Sequence, residues 1–227
     1  MSTDKTISID HDSAGRHKKG CHGGLEKAEG RRRPHHHGDL RAALIDAGVA
    51  LVSEHGASAL SIRKVAARAG VSHAAPAHHF ASLAALRTAV IARGHMKFAS
   101  MMREQMDMVD ANDPRSVIIA ALRGYMKFAF ENSSMFHLMF GGFEKFADDE
   151  EFTKASDISY QILREICAPL APGKAGEEGN EILVWSIIHG YVGIMLNRNT
   201  HVEYELEPEK LLELIFPDLP LRDSWSR

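Results

Sequence analysis

From Asp39 onward the apolar residues fall at helical spacing. Leu40, Leu44, Ala47, Gly48 and Leu51 recur at i, i+4, i+7, i+8 and i+11, one face of a helix that Asp39 is placed to cap and Gly56 to end. Ser61 is then the expected N-cap of a short helix with Ile62, Val65, Ala66 and Ala69 inward, stopped at Gly70. Ser72 is placed to cap a third short helix through His79 and Phe80, and Ser82 a longer one from Leu83 past Met101 toward Val109. Asp113-Pro114 supplies a cap and an N1 proline for the next helix, and Ser133 or Ser134 opens a short apolar turn ending at Gly141-Gly142. The same grammar predicts helices over residues 148–170 and 177–199, and a last one from Pro208 closed by Pro217. No useful run alternates with period two, so the expected fold class is all-α, with about nine helices.

The segment between Ser61 and Phe80 carries more information than its helicity. Two short helices that cross steeply need a small residue where they touch and a glycine in the turn, and Ala66 and Gly70 meet both demands. Val65, Ala69 and Val71 then face the preceding helix. Ser72, His73 and Ala74 lie at the start of the second helix, the end that enters a major groove. The pattern predicts a three-helix helix-turn-helix domain over residues 35–85 and a helical bundle over 86–222.

Charge separates these regions. Residues 1–95 hold 14 Lys and Arg against 8 Asp and Glu, a surplus of six, whereas residues 96–227 hold 13 against 22, a deficit of nine. A basic end suits a polyanion, and the acidic body argues against the whole molecule wrapping nucleic acid. Residues 1–34, rich in Gly, Lys, Arg, His and Asp and without apolar periodicity, are expected to be a disordered basic arm. No run approaches a membrane span and no secretory pattern opens the chain, so a cytoplasmic protein is expected.

Enzymatic chemistry finds little support: there is no phosphate loop, nucleophile elbow or paired-acid motif. Cys21 and Cys167 are too few and too differently placed for a disulfide framework or a cysteine zinc site, and no cofactor is expected. His35-His36-His37 and His78-His79 are the donors that a metal-responsive regulator would use. Adjacent histidines on a helix point about 100° apart, however, and no carboxylate or Cys stands at i+4.

The stretch HHHGDLRAALIDAGVALVSEHGASALSIRKVAARAGVSHAAPAHHFASLAALRTAV, His35 to Val90, resembles the N-terminal domain of the TetR family of repressors along its whole length. The chain also looks like the branch with His-Gly-Asp-Leu-Arg before the first helix (His37 to Arg41), Val-Ser-His-Ala-Ala-Pro in the reading helix (Val71 to Pro76), and a late Trp…His-Gly (Trp185, His189, Gly190). The resemblance implies a homodimer that binds a palindromic double-stranded DNA operator and a C-terminal domain that dimerises and holds a small-molecule effector. Two departures shift the expected grip. The family's frequent Tyr before the His-Phe pair is Ala77, and its frequent Lys opening the fourth helix is Leu83. Both family residues usually hold phosphates, and their replacement is the feature an interaction protein without DNA binding would show.

Backbone contacts are therefore expected from Ser61, Arg63, the Ser72 cap, His79 and an Arg31-Arg32-Arg33 arm reaching a minor groove. Base contacts are expected from His73 and His78, with Ala74 and Ala77 permitting close approach or meeting thymine methyls. Pro76 removes one amide and crowds the Ser72 carbonyl, which predicts a tightened or late-starting reading helix. Farther along, soft and aromatic side chains accumulate from Phe98 onward, and such residues fill irregular cores and line adaptable apolar pockets. Phe98, Met102, Tyr125, Phe128, Met139, Trp185 and His189 are the expected contacts of a small apolar or aromatic effector. Trp185 and His189, one turn apart, share a helix face. Ile187, Ile188, Tyr191, Ile194, Met195, Leu211, Leu214 and Ile215 are expected at a four-helix dimer interface.

Overall fold

The computed structural model describes residues 40–173, 176–197, 210, 221 and 222. Among them the chain is helical: α1 (Leu40–His55), α2 (Ile62–Arg68), α3 (Leu83–Met106), α4 (Pro114–Glu131), α5 (Ser133–Phe140), α6 (Glu150–Cys167) and α7 (Gly176–Leu196). Two short 3₁₀ turns, Ala57–Ala59 and Ala75–His78, complete the first half. The described residues thus carry seven α-helices where the sequence predicts about nine in all. One expected helix is a 3₁₀ turn, and the helix expected after Pro208 falls largely outside the described residues, as do Asp39, Arg31, Arg32 and Arg33.

Caps set most helix starts where the sequence places them. Ser61 Oγ accepts from Lys64 N at 3.3 Å, Ser82 Oγ from Ala85 N at 3.1 Å, and Asp113 from Arg115 N at 3.1 Å ahead of Pro114. Asp149, one residue later than expected, caps α6 by accepting from Phe152 N at 2.9 Å. Asn132, not Ser133 or Ser134, precedes α5, and it offers no side-chain cap. Its Nδ2 instead donates to Phe128 O, so the chain turns directly from α4 into α5.

The long α3 is the spine. It packs most extensively against α4 and α6, and also meets α1 and α5. At the α3–α4 crossing the two backbones nearly touch, because a Cβ on Gly124 would lie 2.5 Å from Met102 Cα and 2.6 Å from the Met101 carbonyl oxygen. Gly94 makes room for Met135 and Met139 of α5 in the same way. Buried Leu44, Val52, Leu86, Ile91, Ile118, Phe128, Leu138 and Ile162 join one apolar core that runs from α1 to α7. Cys167 lies in this core, where burial pushes its thiol up to about 12 and leaves it an apolar filler without redox reactivity.

Candidate functional site

Two places in the molecule concentrate exposed or unfilled chemistry. The first is the turn after α2. Ala69 ends the helix, Gly70 takes φ +70°, Val71 N donates to Ala66 O at 3.0 Å and Gly70 N to Ala67 O at 3.2 Å. This doubly bonded reversal turns the chain sharply and satisfies the Ala66 and Ala67 carbonyls, and only a residue tolerant of left-handed φ fits at Gly70. Val65 and Ala66 are fully buried beneath it.

The segment that follows is wound more tightly than an α-helix. Ala75 N donates to Ser72 O, Ala77 N to Ala74 O and His79 N to Pro76 O, all three-residue steps. Pro76 has no N–H to continue a four-residue ladder, so Ala75–His78 is a 3₁₀ turn. The expected Ser72 cap is not formed: the turn begins at Ala74 without a side-chain cap, and Ser72 serves through its carbonyl. Pro76 and Phe80 are buried as anchors, while Ser72, His73, Ala74, Ala77, His78 and His79 are exposed together on the outside of the turn. Ser61 is occupied in capping α2. Arg63 stands exposed beside it, as does Lys64, which the sequence reading passed over. The other cation of α2, Arg68, is engaged with Glu54 of α1 in a two-pronged ion pair that holds the Glu54 carboxyl below its usual range.

The second place is a cavity of about 310 Å³ walled mainly by α3, α4, α6 and α7 and open on one side. Phe98, Met102, Tyr125 and Trp185 line it, as expected residues brought together from three helices. Phe128 and Met139 instead sit in the core, fully buried, with Phe128 supporting Phe98 from behind at 5.1 Å between ring centres. His189 is not a wall residue. It is held by Tyr125 Oη, 2.8 Å from its Nδ1, and packs on Phe136, Phe140 and Trp185. Its burial keeps the imidazole below its ordinary range, and burial raises the Tyr125 phenol well above its own.

The polar part of this wall was invisible in the sequence. His95 of α3 is buried against Phe140 and Phe152, and its Nδ1 lies 2.9 Å from Ser159 Oγ of α6. Burial, with the nearby Lys145 charge adding to it, pushes His95 down to about 4. Asp157 and Tyr160 of α6 stand toward the rim, where Tyr160 Oη donates to Glu181 Oε2 at 2.6 Å. No sequence pattern couples His95 to residues some sixty positions later; only the packing of α6 on α3 does.

Polar ties join α6 and the segment before it to α1 and to the start of α3. Glu151, at the start of α6, pairs with Arg41 of α1 at 2.6 Å, and Arg41 also lies over the Phe80 ring at 5.5 Å. Thr88 of α3 accepts from Phe146 N at 2.9 Å while donating to Ala84 O, and Arg87 donates to Glu144 O at 3.0 Å. Among the described residues no cluster of three His, Cys, Asp or Glu could hold a metal ion, and no helix is long and apolar enough to cross a membrane.

Two α-helices and an exposed 3₁₀ turn, joined by one long helix to an all-helical body with an apolar cavity, have the architecture of a helix-turn-helix transcriptional regulator. Known families agree at both ends. Residues 44–90 match the bacterial regulatory proteins of the tetR family, and residues 118–219 match the tetracyclin repressor-like C-terminal domain. The chain belongs to the TetR family of DNA-binding transcriptional regulators. Solved structures share the fold. A protein with unknown function from Rhodococcus sp. RHA1 has a TM-score of 0.66 at 22% identity, covering 80% of this chain and 94% of that one. The fatty acid degradation regulator FadR from Bacillus halodurans has a TM-score of 0.60 at 15% identity, covering 80% and 97%. The multidrug binding protein EbrR complexed with imidazole has a TM-score of 0.53 at 21% identity, covering 77% and 94%. No curated protein sequence matches the chain.

Proposed function

We propose that the protein is a repressor that binds a palindromic operator as a homodimer and is released when a small apolar or aromatic molecule enters the cavity between α3, α4, α6 and α7. The observation that carries this reading is the cavity itself. Two of the helices that wall it reach the reading module, α3 by packing on α1 and α6 through Glu151–Arg41, so filling it acts on both. In this reading His73 and His78 address base edges, Ala74 and Ala77 let the turn approach the groove floor, and Ser61, Arg63, Lys64, Ser72 and His79 meet phosphates. The Arg31, Arg32 and Arg33 arm adds charge in the adjacent minor groove. Among the described residues no cluster of side chains favours a metal-responsive regulator, and Ala77 and Leu83 are the features that would favour a protein that has lost DNA binding.

The dimer reading rests on α7. Ile182, Leu183 and Ile194 are exposed on it, an apolar surface that a second α7 would cover. Ile188, expected at that interface, faces the protein's own core instead, and Leu211, Leu214 and Ile215 lie outside the described residues. The experiment is operator binding by fluorescence anisotropy on duplexes from the protein's own upstream region, repeated with hydrophobic small molecules. Release by at least one such molecule, abolished when the cavity is filled by Ala121→Phe, supports the reading. Release that persists in that variant contradicts it.

A further inference from the structure

The hydrogen-bond network around His95 fixes which chemistry the cavity presents. Ser159 has one hydroxyl proton and two close partners: its Oγ donates to Ser156 O at 2.8 Å and lies 2.9 Å from His95 Nδ1. Both contacts are satisfied only when the serine proton goes to the Ser156 carbonyl and His95 Nδ1–H donates to Oγ. In a neutral imidazole the other nitrogen, Nε2, is then a bare acceptor. The ring is held neutral by its burial and by the Lys145 charge. Nε2 has no hydrogen-bond partner among the described residues. Among the described residues no enclosed side-chain nitrogen or oxygen lacks one, so Nε2 is open to the space that His95 lines.

An unmatched acceptor in a mostly apolar wall selects for a donor, because an apolar molecule seated against it leaves the imidazole lone pair desolvated and unbonded. It also rejects anions. No Lys or Arg stands among the residues lining the cavity, and the one ionisable carboxylate there is Asp157. A carboxylate on the effector would face that lone pair and the like charge of Asp157 in the lining, while the nearby Lys145 charge lies outside the lining, over the Phe152 ring.

We propose that the effector is a neutral apolar or aromatic molecule bearing a hydroxyl or N–H group that donates its hydrogen bond to His95 Nε2. This rests on the cavity being the effector site and sharpens it from an apolar molecule to a hydrogen-bond donor. Two measurements on the full chain test it. Ring ¹⁵N–¹H correlation spectra, with the His95 signals identified by their loss in His95→Gln, should show a proton on Nδ1 and none on Nε2 at neutral pH. A proton on Nε2 overturns the proposal.

The second measurement is calorimetric binding of three probes of one shape: naphthalene, β-naphthol and β-naphthoate. β-Naphthol should bind about tenfold tighter than naphthalene, the fold-change expected of one buried acceptor satisfied rather than stranded. β-Naphthoate should bind more weakly than β-naphthol, and His95→Phe should erase the preference for the alcohol. Equal binding of naphthalene and β-naphthol, or a preference that survives His95→Phe, overturns the donor assignment while leaving the cavity reading standing. Binding of none of the three overturns both.

Discussion

His95 illustrates how one residue reports on burial and chemistry together. Its neutral form is favoured in the folded chain, so its pKa falls from the usual 6.5 to about 4. A histidine with a depressed folded pKa imposes no cost above the unfolded value, and it subtracts stability as pH falls from that value toward the folded one. Between pH 7 and pH 5 the loss attributable to His95 is expected to be about 2 kcal/mol. Urea unfolding of the protein and of His95→Phe at both pH values should show that much less acid sensitivity in the variant; identical sensitivity contradicts a buried neutral His95. On the exposed turn proposed to read DNA, His73→Ala should cost roughly 1 to 3 kcal/mol of operator affinity and relax sequence preference. Lys64→Ala or loss of the Arg31 to Arg33 charges should weaken specific and random DNA alike and flatten the salt dependence. Competition titrations against random duplex separate the two outcomes.

At the scale of the element, Gly124 and the Arg41–Glu151 pair make opposite predictions. Gly124→Ala forces a methyl into the α3 backbone at Met101 and Met102, which cannot move as a flexible side chain would, and about 1 to 3 kcal/mol of stability should be lost on denaturation. Arg41 and Glu151 are both substantially exposed, so Glu151→Gln should leave the unfolding midpoint nearly unchanged. The same variant should reduce the factor by which effector lowers operator affinity, since it loosens α6 from α1; an unaltered factor removes that pair from the coupling route. The helices themselves were largely legible in the sequence, because Ser61, Ser82 and Asp113 act locally on the amides just after them. Pro76 was equally legible, since a missing amide tightens the chain wherever it stands. The cavity was legible only by half. A Met- and Phe-rich stretch announces apolar space without saying which face each side chain takes, so Phe98 and Met102 reach the wall while Phe128 and Met139 fill the core. His95–Ser159 depends on two helices meeting, which no local spacing encodes.

At the scale of the whole molecule, α3 runs unbroken from Leu83 beside the turn to Met106 beyond the cavity wall, and the proposed function makes it the link between them. Its α7 surface makes a further prediction at this scale. Ile182 is 63% exposed and Leu183 49%, so Leu183→Glu should convert a dimer to a monomer in sedimentation and abolish binding to a palindrome, while each chain keeps its helicity by circular dichroism. A variant that remains dimeric places the interface elsewhere. The central claim, that the exposed turn over His73 to His79 grips a two-fold operator, is tested most directly by salt-dependent anisotropy titration of a short palindromic duplex from the upstream region. The account predicts saturable binding of one dimer per duplex, with log affinity falling linearly against log salt through several phosphate contacts. Absence of saturable binding at low salt would contradict it.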